Sequence, residues 1–205
     1  MAHFAQIIRT ISVLFIIAIA SPAAADEGAE TFIQSLSSDA FNIINGDAPE
    51  AERRENLRSF LSSNINFRRV SGFALGQYGR QITPDQREEF ITLFTSYSLG
   101  LYEEQLFRYA GQTMTVTKSV DRSARDVIVY TTVSSKDPQL DGLEVMWRVA
   151  KGKNGGYSVF DVGAEGVWLV IAKRDEYTSI IANNGGGERG MAKLLEDLRA
   201  QVAAL

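Results

Sequence analysis

The sequence predicts an α+β fold in which helices pack on a curved antiparallel sheet of four or more strands and enclose an apolar pocket. Apolar residues recur with helical spacing in the first half of the chain, alternate with a period of two over residues 112–171, and return to helical spacing in the tail. The joints between the predicted strands are short, which favours antiparallel neighbours. Gly163 and Gly166 in the last predicted strand allow a bend, so we expect the sheet to curl.

The first 25 of the 205 residues have the pattern of a cleavable signal peptide. Arg9 precedes an apolar run over residues 11–20, and residues 21–25 (SPAAA) end in the small-x-small pattern that a signal peptidase recognises. The run is too short to cross a bilayer, which needs about 20 apolar residues; the alternative is an uncleaved anchor helix. No linker or repeat divides the remainder, so we expect residues 26–205 to form a single exported domain.

The chemistry available to such a domain is narrow. His3 is the only histidine, it lies in the predicted signal peptide, and the chain has no cysteine. These residue types supply the base, nucleophile or ligands of histidine-assisted hydrolases, thiol redox proteins and most zinc sites, so we predict no metal and no cofactor. The formal net charge of −4 argues against a nucleic-acid partner, since phosphate backbones require a basic surface.

The first half of the chain predicts three helices. Residues 29–46 carry apolar side chains at spacings of three and four and end at a glycine. Residues 49–61 form a second helix, whose Arg53, Arg54 and Arg58 we interpret as a solvated face, the alternative being a phosphate-binding cluster. The capping box Thr83-Pro84-Asp85-Gln86, with proline at the first helical position, predicts a third helix over residues 83–110.

Strands and a helical tail follow. Val, Thr and aromatic residues alternate with polar ones in four segments. Val145, Trp147 and Val149 fall on one face of the third segment and Arg148 on the other, which predicts one covered and one solvated sheet face. The predicted strands are 112–120, 126–135, 143–152 and 157–171, and the predicted tail helices are 174–182 and 190–203.

Four blocks of residues, in order and spread over residues 29–200, resemble one protein family. The sequence is similar to the periplasmic phospholipid-binding proteins of the Mla pathway, the MlaC or toluene-tolerance family. The blocks are Phe73-Ala74-Leu75-Gly76-Gln77-Tyr78, Thr83-Pro84-x-Gln86-Arg87-x-x-Phe90, Tyr109-x-Gly111-Gln112 and Phe160-Asp161-Val162-x-Ala164-Glu165-Gly166-Val167.

The resemblance implies an α+β fold with a pocket for lipid acyl chains. It also implies a periplasmic carrier that moves phospholipid between an outer-membrane MlaA-type lipoprotein complex and the MlaD-type MCE protein of an inner-membrane ABC transporter. A close branch of the family handles hopanoids, which is the alternative ligand. This sequence has Trp168 where the family commonly has serine, so the indole would reshape the pocket if it faced inward. A soluble shuttle is most simply a monomer.

We expect the pocket to be lined by apolar residues on the faces that converge. These are Phe73, Leu75, Phe90, Phe94, Tyr97, Leu101, Val129, Val145, Trp147, Val162, Val167 and Leu169. The aromatic stripe of the third helix among them has a plainer interpretation as core packing. The segment from Gly72 to Gly79 and the pair Gly163 and Gly166 are candidate hinges for lipid release.

Asp161 and Glu165 are the polar residues of the best-matching block. We expect them to satisfy backbone groups at a bend in the strand, the alternatives being a contact to a lipid head group or a docking charge. A competing class is an isomerase-like enzyme with a cone-shaped cavity, in which Asp161 is the base and a tyrosine the donor. A third class is an adaptor protein with a filled core and no ligand.

Overall fold

The computed structural model describes residues 25–108 and 110–205. Apart from Ala25, the predicted signal peptide lies outside the described residues, and so does Tyr109. The described helices are α1 (Glu27–Asn45), α2 (Glu50–Asn64), α3 (Phe67–Ala74), α4 (Pro84–Arg108), α5 (Leu169–Asn183) and α6 (Gly187–Ala203), with a short 3-10 helix at Gly76–Arg80. Within these ranges, no helix combines the length and the apolar character needed to cross a membrane.

The five strands form one antiparallel meander in the order β1-β2-β3-β4-β5. This confirms the predicted α+β class and the antiparallel sheet. A bulge leaves Phe160 of β4 without a partner, because Arg148 pairs with Asp161 and Val149 pairs with Val159. The strands are β1 (Thr113–Ser123), β2 (Asp126–Ser134), β3 (Glu144–Lys151), β4 (Tyr157–Ala164) and β5 (Val167–Trp168).

The prediction of one long strand over residues 157–171 is wrong. The strand turns back at Glu165 and Gly166, whose φ angles are 52° and 81°, and Ala164 pairs with Val167. Two successive positive φ angles are typical of the two-residue hairpin turn that matches strand twist. Gly166 is therefore a turn residue rather than a bend inside a strand, and the chain enters α5 directly after β5.

Two helical segments between residues 65 and 82 were not predicted. Asn66 caps the N-terminus of helix α3. Its side chain accepts a hydrogen bond from the backbone nitrogen of Arg69 at 3.0 Å. Its buried face includes Phe67, Val70 and Ala74 and packs with α4, α5 and α6 in one core. The helix has only eight residues, so its apolar spacing spans too few turns to stand out from the sequence.

Both faces of the sheet are covered where β3 and β4 pair. On one face, Val127, Val129 and Val149 share a buried cluster with Ile33 of α1. On the face of Arg148, which was expected to be solvated, Asp161 is only 2% exposed. The prediction that the Arg148 face of the sheet is solvated is therefore wrong at this end, because α3 and α5 pack on β4 there.

The arginine-rich face of α2 is only partly solvated, with 48% of the Arg58 side chain and 32% of the Arg54 side chain exposed. Arg54 donates to Oε1 of Glu103 on α4 at 2.8 Å, and Arg58 donates to Oε2 of the same carboxylate. Arg53 donates to the backbone oxygens of Ile44 and Ala48. These arginines therefore attach α2 to α4 and to the end of α1.

Candidate functional site: an apolar cleft between α4 and α5

A cleft of about 160 Å³ lies between α4 and α5. Apolar and aromatic side chains form most of its wall, and Lys173 and Glu176 are paired at 2.8 Å among the lining residues of α5. The lining residues are Phe94, Tyr97, Ser98, Leu101 and Tyr102 of α4, and Leu169, Val170, Ala172, Lys173, Glu176 and Tyr177 of α5.

The α4 wall follows from helical periodicity. Phe94, Ser98, Leu101 and Tyr102 are three or four residues apart, so they share one side of the helix. The predicted capping box begins this helix. Thr83 Oγ1 accepts from the backbone nitrogen of Gln86 at 3.1 Å, and Gln86 Oε1 accepts from the backbone nitrogen of Thr83 at 3.3 Å. The cap fixes where the helix starts and hence which side chains face α5.

The α5 wall is positioned by Asp161. The residue that precedes α5, Trp168, provides no side-chain cap. Instead, Asp161 Oδ1 on β4 accepts from the backbone nitrogen of Val170 at 2.9 Å and from that of Val162 at 2.8 Å. The side chain thus satisfies a donor of the first turn of α5 from a neighbouring strand, where helix N-termini favour a carboxylate.

Burial is the largest influence on the pKa values of Asp161, Tyr102 and Tyr177. It raises the pKa of Asp161, although the backbone hydrogen bonds from Val170 and Val162 act in the opposite direction. Burial, reinforced by the charge of Asp161, raises the pKa of Tyr102 to about 12. The pKa of Tyr177 is also raised by burial, and its ring makes edge contacts with Phe90 and Phe94. Tyrosine is already neutral near pH 7 at its ordinary pKa of about 10, so neither phenol adds a charge to the cleft wall.

The cleft brings together four of the twelve predicted pocket residues: Phe94, Tyr97, Leu101 and Leu169. The other eight lie elsewhere. Leu75, Phe90, Val129 and Val145 are buried among other side chains, Phe73 packs on Phe160 at 5.3 Å, and Val167 is 55% exposed. Trp147 and Val162 pair across β3 and β4 and are half-buried on the sheet face toward α1.

Seven lining residues are absent from the predicted pocket: Ser98, Tyr102, Val170, Ala172, Lys173, Glu176 and Tyr177. Val170 lies in the predicted last strand, and Ala172 and Lys173 lie in the joint after it. Glu176 and Tyr177 lie in the predicted helix 174–182, and Ser98 and Tyr102 in the predicted helix 83–110. The glycine-rich turn at Glu165 and Gly166 was the available signal. Trp168 is not a lining residue. A Cβ on Gly163 would lie 3.0 Å from the indole, so the ring packs across the hairpin on that glycine.

A second, larger depression of about 540 Å³ lies at the junction of α2, α3 and α4. It is open to solvent, and Ser62, Ser63, Asn66 and Arg68 contribute polar side chains to it. Ile65, Phe67 and Ile91 add apolar side chains, so the lining is mixed. A groove that is open to solvent does not shield hydrocarbon from water, so the more enclosed α4–α5 cleft is the better candidate for an apolar ligand. In residues 25–108 and 110–205, no group of three His, Asp or Glu side chains is arranged to hold a metal ion.

Six helices on an antiparallel meander, with an apolar cleft between two of the helices, define a small α+β class of protein with room for an apolar ligand. The MlaC protein family matches residues 34–200, so the chain belongs to the MlaC family. Its fold is similar to the solved structure of the phospholipid-binding protein from Ralstonia solanacearum in complex with a phospholipid. The TM-score is 0.68 at 23% identity, over 85% of this chain and 98% of that one.

Proposed function

We propose that this protein is a periplasmic lipid carrier that holds the acyl chains of a phospholipid between α4 and α5. The observation that carries the proposal is the apolar, aromatic-lined cleft between α4 and α5 in a member of the MlaC family. The phospholipid bound by the structurally similar Ralstonia protein supports the choice of ligand. The carrier operates as a monomer and needs no cofactor.

The energetics of lipid transfer explain why such a carrier is required. A diacyl lipid has roughly 30 methylene groups, and at about 0.8 kcal/mol each their exposure to water costs on the order of 24 kcal/mol. Unaided passage across an aqueous compartment is therefore very slow. A protein that covers the chains removes most of this cost, provided that it can also release them.

The cleft must widen to hold two acyl chains. Its volume of about 160 Å³ is below the roughly 300–1,000 Å³ of ordinary ligand pockets. Helices α4 and α5 each pack on α6 more extensively than on each other. They can therefore separate along the cleft while both remain attached to α6, which provides a route for loading and unloading.

The two ends of the transfer follow from the family resemblance. We propose that the carrier exchanges lipid with an outer-membrane MlaA-type lipoprotein complex and with an MlaD-type protein of an inner-membrane ABC transporter. Residues 1–25 act as its signal peptide. A hopanoid in place of phospholipid would leave the carrier mechanism unchanged, because a hopanoid presents the same problem of hydrocarbon exposure.

Mass spectrometry of an organic extract from protein purified without detergent from its native periplasm tests the proposal. We expect phospholipid at close to one molecule per chain. Hopanoid at that ratio would keep the carrier function and change the ligand. A lipid-free extract from well-folded protein would contradict the proposal and favour the adaptor class.

A further inference from the structure

Asp26, the first residue after the predicted cleavage site, is fixed in the fold by its side chain. Oδ1 accepts from the backbone nitrogen of Ala29 at 2.9 Å, which caps α1, and from the hydroxyl of Tyr157 at 2.7 Å. Oδ2 lies 3.5 Å from Nζ of Lys151. Ala25, by contrast, is exposed. Among the described residues, fixed contacts therefore reach back to Asp26, and Ala25 on the other side of the preceding peptide bond is exposed.

The backbone nitrogen of Asp26 has its own acceptor in the sheet. It donates to Oγ of Ser119 at 2.9 Å, and that hydroxyl donates to Oε1 of Glu30 at 2.7 Å. Ser119 is only 6% exposed, so a buried hydroxyl on β1 links the nitrogen to a carboxylate in the first turn of α1. Gly28 permits the close approach of Tyr157 to Asp26, because a Cβ at position 28 would lie 2.5 Å from the Tyr157 hydroxyl.

We infer that the chain is cut between Ala25 and Asp26 and that the new α-ammonium group of Asp26 is held by a site made of Ser119 and Glu30. Hydrolysis consumes one water, leaves a carboxylate on Ala25 of the released segment, and leaves an amine on Asp26 that takes up a proton. The ammonium group can donate a hydrogen bond to Ser119 Oγ, as the amide nitrogen does, and it adds a positive charge. This inference rests on the export included in the proposed function.

The charges around Asp26 favour the ammonium form. Glu30 of α1 and the carboxylate of Asp26 itself are negative, Lys151 of β3 is paired with that carboxylate, and Tyr157 of β4 contributes a neutral hydroxyl. The two carboxylates favour the charged amine, and the positive N-terminal end of α1 acts in the opposite direction. The resulting stability is complete below the ordinary pKa of an α-amino group and is lost as the pH rises through the folded value.

The test begins with the exported protein. Intact mass and N-terminal sequencing should identify Asp26 as its first residue. Thermal unfolding is then compared with a form that retains Ala25 at its N-terminus, in which the ammonium is displaced by one residue. At about pH 6.5 we expect the Asp26 form to melt higher by about 2–4 °C, and at about pH 9.5 the difference should vanish.

Glu30→Gln should abolish this difference at the lower pH, whereas Glu27→Gln should preserve it, since Glu27 is an exposed residue of the same helical turn. A different first residue, or equal melting of the two forms at both pH values, would overturn the inference. Lipid is measured on the same preparations. Lipid-loaded protein that begins at Met1 overturns the inference alone, whereas empty protein that begins at Asp26 supports it and removes the carrier function.

Discussion

At the scale of the residue, three buried polar side chains each join two elements of the fold. Asp161 attaches β4 to the start of α5, Glu103 attaches α4 to α2, and Ser119 attaches β1 to α1. Glu103 and Ser119 make hydrogen bonds that compensate for their removal from water, whereas Asp161 is compensated only at Oδ1, because its Oδ2 is buried without a partner among the described residues. Substitution at these positions should therefore separate a structural role from a role in ligand binding.

Asp161→Ala should lower the free energy of unfolding by about 2 kcal/mol, because it leaves the buried nitrogens of Val170 and Val162 without an acceptor. Asp161→Asn should cost less than about 1 kcal/mol, since its carbonyl oxygen can accept the same bonds and burial already disfavours the charge. Urea denaturation measures both.

The Asp161→Asn variant also distinguishes the proposed carrier from the isomerase-like enzyme. The asparagine variant should still purify with lipid, because Asp161 supports α5 and does not react. Loss of a measured turnover in Asp161→Asn, with folding intact, would instead identify an enzyme.

Glu103→Gln should destabilise the protein by about 1–2 kcal/mol near pH 7, because Arg54 and Arg58 lose their shared charged partner. Burial alone would raise the pKa of Glu103, but hydrogen bonds from Arg54 and Arg58 outweigh burial and hold it below the ordinary 4.5. The contribution is thus present above 4.5 and is lost as the pH falls through the folded value. Denaturation midpoints of wild type and variant should converge in acid.

The control for this prediction is Glu104→Gln. Glu104 is half-exposed and pairs with Arg108 at 3.2 Å on the same helix. An exposed pair contributes little, so its removal should change stability by less than about 0.5 kcal/mol. Equal losses of stability in the two variants would show that the buried Glu103 contributes no more than the exposed Glu104.

At the scale of the element, the packing of α5 on α6 depends on one glycine. A Cβ on Gly190 would lie 2.1 Å from the backbone oxygen of Ile181, so a methyl group forces the helices apart. Gly190→Ala should therefore cost about 2–3 kcal/mol by thermal or urea unfolding. Gly72→Ala in α3 is the matched control. No atom lies within 4 Å of its Cβ position, and alanine should stabilise by about 0.5–1 kcal/mol.

At the scale of the whole molecule, three buried clusters meet around Ile65. One joins α3, α4, α5 and α6, the second joins α1 to the sheet, and the third joins α1, α2 and α4. Ile65 contacts all three and forms an isolated bridge with Val159. The cleft lies at the edge of the first cluster, so its α5 wall can move while the other two clusters stay intact.

Leu169→Glu should reduce co-purified lipid at least several-fold, because it places a charge in the cleft wall. Ile171→Glu should retain lipid. The two side chains are 44% and 40% exposed in the same first turn of α5, so the substitutions should affect folding alike, but Ile171 does not line the cleft. Extracted lipid per chain is the measurement, and equal loss from both variants would contradict the location of the site.

The regular elements could be predicted because their signals are local. Thr83-Pro84-Asp85-Gln86 defined the start of α4, and alternation identified the first three strands nearly to their ends. The start of α5 could not be predicted, since its cap comes from Asp161 across the sheet rather than from the residue before the helix. This is why Val170, Ala172 and their neighbours were absent from the predicted pocket while Phe94, Tyr97 and Leu101 were present.

The α+β class, the antiparallel meander and the resemblance to the MlaC family could all be inferred without coordinates, because periodicity, turn chemistry and residue type are local properties of the chain. The division of the apolar residues between filled core, such as Phe90 and Val129, and the wall of the cleft became known from the folded structure. Burial depends on the partner that faces each side chain. That partner is set by long-range pairs such as Asp161 with Val170 and Glu103 with Arg54.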